Sequence, residues 1–119
     1  MIPVIDLFAG PGGLGEGFSA FRAKGKQQFK IVLSIDKDPS ARETLRLRSF
    51  FRQFADTLPD AYYQLLRGEI TPDELFLRYP NEASRADEEA WLAELGNPKK
   101  NPSSEIDDRI ERALNGASN

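Results

Sequence analysis

A largely apolar run, Ile2-Pro3-Val4-Ile5-Asp6-Leu7-Phe8, leads straight into Gly10, Gly12, Gly13, Gly15 and Gly17. Such a run, rich in β-branched and aromatic residues, reads as a buried strand. Pro3 sits among its first residues, where a missing N–H costs least. The glycines then form a tight loop that opens a helix, with Leu14, Phe18 and Phe21 spaced along one face. Gly25 stands where that helix would be capped. Phe29-Lys30-Ile31-Val32-Leu33-Ser34-Ile35 reads as a second strand, ending at Asp36. Asp38-Pro39 starts the next helix with an N-cap carboxylate and a first-turn proline. Its apolar stripe is Ala41, Leu45, Phe51, Phe54 and Leu58, interrupted near Ser49. The order strand, loop, helix, strand, helix is the start of a doubly wound α/β fold.

Beyond residue 55 the pattern carries only helical signals. A helix is expected over Ala61–Leu66. Thr71-Pro72-Asp73-Glu74 is a capping box opening a helix to about Tyr79. Ser84 with Asp87 opens another, carrying Trp91, Leu92 and Leu95 and ending at Gly96-Asn97-Pro98. A last helix starts at Ser103 or Ser104, turns Ile106, Ile110, Ala113 and Leu114 inward, and stops at Gly116. The chain therefore divides into a βαβα unit over residues 1–54 and an all-helical extension of the same domain over 55–119.

At 119 residues the chain is one small domain. It has no cysteine and no histidine, so disulfides, thiolate metal sites and cysteine or histidine catalysis are excluded within it. No apolar run approaches the ~20 residues of a membrane span, and the N-terminus is not built like a signal peptide. A soluble cytoplasmic protein without a metal site is expected. The net charge of −3 hides an asymmetry. Residues 1–54 hold nine Lys and Arg against five acids, and residues 55–119 hold seven against fourteen. The first part can sit near a polyanion, whereas the second would repel one.

The chemistry belongs at the carboxyl ends of the two strands. Glycines let the backbone approach a ligand closely, and the N–H groups of the following helix point at it. Asp36 lies beside the loop if the strands are parallel neighbours, and its carboxylate can accept both hydroxyls of a ribose. Gly10, Gly12 and Gly15 spell G-x-G-x-x-G, followed by Asp36, which formally matches a dinucleotide site for NAD or FAD. A plain tight turn is the bland alternative. A P-loop is excluded, because no Gly-Lys-Ser/Thr follows the glycines.

The longer string Asp6-Leu7-Phe8-Ala9-Gly10-Pro11-Gly12-Gly13-Leu14 resembles the first motif of DNA (cytosine-5) methyltransferases. Ser34-Ile35-Asp36-Lys37-Asp38-Pro39-Ser40-Ala41 is similar to the next motif of that family. The resemblance covers about residues 2–48. It implies the start of a Rossmann-like methyltransferase fold and an S-adenosyl-L-methionine site. Phe8 would pack on the adenine. Ala9, Gly10, Gly12, Gly13 and Leu14 would cradle the methionine part, and Asp36 would hold the ribose. Lys37 stands where the family often has a hydrophobic side chain over the adenine, and its aliphatic stem can take that place. Asp6 would orient the loop or the ligand's ammonium.

The family's nucleophile is a cysteine in a Pro-Cys motif, so the resemblance places no catalytic residue in this chain and implies that it is inactive alone. The chain reads as the N-terminal part of a restriction-modification type enzyme, cut before the catalytic loop. DNA would be met mostly outside these residues. The first strand would lack its outer neighbour, which favours self-association or dependence on the remaining enzyme. The other readings are a fragment of an NAD- or FAD-dependent oxidoreductase and a non-catalytic helical interaction module. Glu69, Asp73, Glu74, Asp87, Glu88 and Glu89 read as helix caps and solvated charges, and Trp91, Tyr62 and Tyr63 as core.

Overall fold

A computed structural model describes residues 1–55 and 57–117. The strands are β1 (Ile2–Leu7), β2 (Arg22–Ala23), β3 (Lys26–Gln27), β4 (Phe29–Asp36) and β5 (Ala90–Leu92). The helices are α1 (Gly13–Ala20), α2 (Pro39–Arg52), α3 (Asp60–Leu66), α4 (Pro72–Arg78), α5 (Pro80–Glu89) and α6 (Ser103–Ala117). β1, β4 and β5 form a parallel sheet in that order, with β4 in the centre. The protein is a mixed α/β domain built on this sheet. Among the described residues no helix is long and apolar enough to cross a membrane.

Central position explains the composition of β4. A strand covered on both faces reads as a continuous apolar run, and Ile31, Leu33, Ser34 and Ile35 are all buried. Its register against β1 steps from Val4–Ile31 to Ile5–Leu33, so Val32 has no partner. This bulge changes which face the following residues present. Ile31 lies against Gly15 of α1, whereas Leu33 and Ile35 join Ile5, Leu95, Ile110 and Ala113 beneath α6.

The second core is aromatic and helical. Phe50 is fully buried among Phe51, Phe54, Phe76 and Tyr79, at ring separations of 5.1–6.0 Å. Ala61, Ile70, Leu75, Ala83 and Ala86 complete it. α2 therefore packs through Ala41, Leu45 and Phe50, while Phe51, Phe54 and Leu58 of the expected stripe are half-buried. The Asp38 cap forms as expected, with the Ser40 N–H donating to its carboxylate at 3.1 Å. Thr71 caps α4 in the same way through the Glu74 N–H, at 3.2 Å.

Five expectations are corrected. The region after residue 55 is not all-helical: α5 ends at Glu89, and Ala90–Leu92 pairs with Ser34–Asp36 as β5. Trp91 and Leu92 thus lie on a strand, because the sheet edge offers backbone partners that a three-residue segment cannot announce by periodicity. Gly25 does not cap a helix. Lys24 and Gly25, at φ 53° and 74°, turn a short β2–β3 hairpin, the positive-φ pair that suits a two-residue turn. α1 is correspondingly shorter, so Phe21 lies outside it, stacked near Phe29 at 5.9 Å. Leu14 is 69% exposed rather than inward. Finally, α6 runs through Gly116 to Ala117.

Candidate cofactor site at the carboxyl ends of the strands

β1 ends at Leu7, and the chain turns sharply. Phe8 takes φ 56°, a left-handed conformation that is costly for a bulky side chain. The Ala9 N–H then donates to the Ile35 carbonyl at 2.9 Å. The result is an aromatic ring held out at the strand end, 74% exposed. Packing alone does not account for strain of this kind with an apolar ring left in water, which makes Phe8 a candidate contact residue.

Asp36, at the end of β4, fixes the loop. One carboxylate oxygen accepts the Gly10 N–H at 2.8 Å, and the other accepts the Asp38 N–H at 2.9 Å. A carboxylate has about four acceptor sites, so two remain for a ligand. Gly12 forms the N-cap of α1 at φ 92°. A Cβ there would come within 2.8 Å of Leu45 Cδ2. The conformation favours glycine, and a Cβ would in addition force the Leu45 side chain to shift. Gly12→Ala should cost about 1–2 kcal/mol from the left-handed backbone alone. Gly13→Ala, which meets nothing within 4 Å, should be nearly neutral. Urea titration of both variants checks the contrast.

Asp6 sits behind this loop. Its Oδ2 is buried with no hydrogen-bond partner, and a Cβ on Gly15 would lie 3.4 Å from it. Burial raises its carboxyl above the ordinary aspartate range. The neutral form is favoured in the folded chain, so this group's contribution to stability is full at low pH. It is lost as pH rises through the ordinary aspartate range and past the raised folded value. Asp6→Asn should remove that segment of the pH dependence, read from urea midpoints of both proteins across pH 3 to 7 at about half-unit steps.

A cavity of about 140 Å³ lies between these elements, lined by Phe8, Ile35, Asp36, Lys37, Ala93, Glu94 and Leu95. The structure therefore brings Phe8, Asp36 and Lys37 together at one mouth. The far wall comes from the segment after β5, which sequence reasoning missed. There Glu94 accepts from Asn97 Nδ2 at 3.1 Å and pairs with Lys100 at 3.5 Å. The Asn97 hydrogen bond, then Lys100 and Lys37, hold its carboxyl below the usual range. No pattern announced Glu94, because only the pairing of β5 with β4 carries it to the site. Ala9, Gly10, Gly12, Gly13 and Leu14 form the adjoining turn and the start of α1, whose first N–H groups lack intrahelical acceptors.

A larger hollow, about 740 Å³, lies elsewhere, at the starts of β1 and β4 beside Met1, Lys30, Arg52 and Arg85. It is an open channel between helices, and two of its carboxylates, Glu16 and Glu89, are already paired with Arg52. Glu89, expected as a cap or a solvated charge, is instead largely buried. It accepts from Ser49 Oγ at 2.7 Å, and burial raises its carboxyl despite Arg52.

No protein-family model matches the chain, and no solved structure matches it. One curated relative is the Type II methyltransferase M.Bpa9945I of Bacillus paralicheniformis, 34% identical over 107 residues. The chain is similar to a methyltransferase. The match covers 83% of this chain and 23% of the relative's length.

Proposed function

We propose that this chain is the S-adenosyl-L-methionine-binding portion of a DNA methyltransferase that modifies C5 of cytosine. The observation carrying this reading is the joint placement of Phe8, the glycine loop and Asp36 at one cavity mouth. The similarity to a Type II methyltransferase supports the transferase part of the reading. The string from Asp6 to Leu14 supports the cytosine-5 assignment.

The residues fit such a ligand. Phe8 offers an exposed face for an adenine, Asp36 two free acceptor sites for a ribose, and Asp6 an unmatched buried acceptor for an ammonium. Glu94 places a carboxylate where an exocyclic amine can donate to it. Lys37 borders the same mouth, and Gly13 and Leu14, at the start of α1, supply backbone N–H groups for the methionine carboxylate, while Gly10 and Gly12 shape the turn through their bonds to Asp36 and Ala9. When bound, the cofactor supplies an activated methyl group. The thiol that would attack the base lies outside these residues, because the chain contains no cysteine. Duplex DNA and the remaining enzyme are the partners in this reading.

Calorimetry with S-adenosylhomocysteine and with NAD tests it. Binding of the first and not the second is expected, and the reverse would assign the chain to an oxidoreductase. The outer edge of β1 has no strand beside it among the described residues. We expect the isolated chain to associate through that edge. Sedimentation over a concentration series should show a rising average mass, and a constant monomer would refute the association.

A further inference from the structure

We infer that Arg52 is a positioning residue that sets the spacing between the two walls of the cofactor cleft. The inference rests on the site proposed above. One wall is Phe8, at the head of the glycine loop that leads into α1, and the other is the segment after β5. Asp36 joins them at the front: its carboxylate holds Gly10, and its carbonyl accepts the Ala93 N–H at 3.0 Å. At the rear, Arg52 Nη1 donates to Glu16, in the first turn of α1, and Nη2 donates to Glu89, the residue before β5. Ser49 Oγ holds the second oxygen of Glu89 at 2.7 Å. Among the described residues no other side chain pairs with both α1 and α5. The guanidinium is mostly buried but borders the open hollow described above, so the ties are partly shielded from solvent. A planar fork can hold two carboxylates at a fixed separation, whereas an ammonium is a single point of charge.

Arg52→Lys keeps the charge and most of the stem but loses the fork. The absence of cysteine allows clean labelling at two introduced thiols. Gly17→Cys on α1 and Leu92→Cys at the end of β5 are both exposed positions. Spin-label distances between them, without any ligand, should broaden in Arg52→Lys and in Glu16→Gln. Unchanged widths in both folded variants would overturn the inference. A second readout uses ligands of different reach. In the proposed site adenosine meets Phe8, Asp36 and Glu94, whereas S-adenosylhomocysteine reaches the glycine loop at the start of α1 as well. Arg52→Lys should weaken binding of S-adenosylhomocysteine on the order of tenfold and of adenosine clearly less, because only the larger ligand also depends on the α1 loop. Equal weakening of both, with unchanged label widths, would mean a general structural role instead. Should the parent chain bind neither ligand, the proposed function fails, and the label widths alone still decide the role of Arg52.

Discussion

Asp36→Ala should weaken binding of S-adenosylhomocysteine at least about tenfold. Two hydrogen bonds from a charged carboxylate to ribose hydroxyls contribute roughly 1.5–3 kcal/mol each, and about 1.4 kcal/mol is a factor of ten. The structure adds a second route to the same loss. Asp36 also holds the Gly10 and Asp38 N–H groups, so the alanine variant frees the loop that must meet the ligand. Asp36→Asn separates the two routes. The amide retains an acceptor for one backbone N–H but presents a donor on its other arm. Calorimetry on both variants should give the larger loss for alanine, with the asparagine variant intermediate. Wild-type affinity in Asp36→Ala would remove this residue from the site.

The largest stability effect is expected at Phe50. Its ring is 0% exposed and lies within 5.3 Å of three other aromatic rings, those of Phe51, Phe54 and Phe76. Deleting such a side chain removes its transfer energy and leaves a cavity, at about 3–5 kcal/mol. The total stability of a small domain is about 5–15 kcal/mol, so Phe50→Ala takes a large share of it. The cluster joins α2 to α3, α4 and α5, and these helices carry the chain from β4 to β5. Urea unfolding should show a large fall in midpoint. By contrast Leu77→Ala, at a position 82% exposed, should stay within about 0.5 kcal/mol of the parent.

What the sequence made legible follows from the range of the forces involved. The β1 run, the glycine turn, β4 and the Asp38 and Thr71 caps are local, and each appears within a residue or two of its expected place. The place of Asp36 beside the glycine loop was legible because strand ends and glycine loops obey short-range rules, whereas Phe8 was singled out by the family resemblance. β5 was not, since Ala-Trp-Leu is three residues long and becomes a strand only by meeting Ser34–Asp36. Glu94 followed it out of view, as did the burial of Glu89 against Ser49 and Arg52. The β2–β3 turn was hidden by chemistry: Lys24 occupies a positive-φ position where asparagine or aspartate would have announced the hairpin. Phe50 was hidden among neighbours, because adjacent phenylalanines give several equally apolar stripes on one helix.

The central claim is that a nucleoside ligand sits at the carboxyl ends of β1 and β4. Backbone amide shifts of the chain, titrated with S-adenosylhomocysteine, test it directly. Saturable shifts should centre on residues 8–14, 36–38 and 93–95, leaving Arg22, Lys30 and Arg85 beside the larger hollow unmoved. Shifts concentrated at that hollow, with Phe8 and Asp36 silent, would contradict the account.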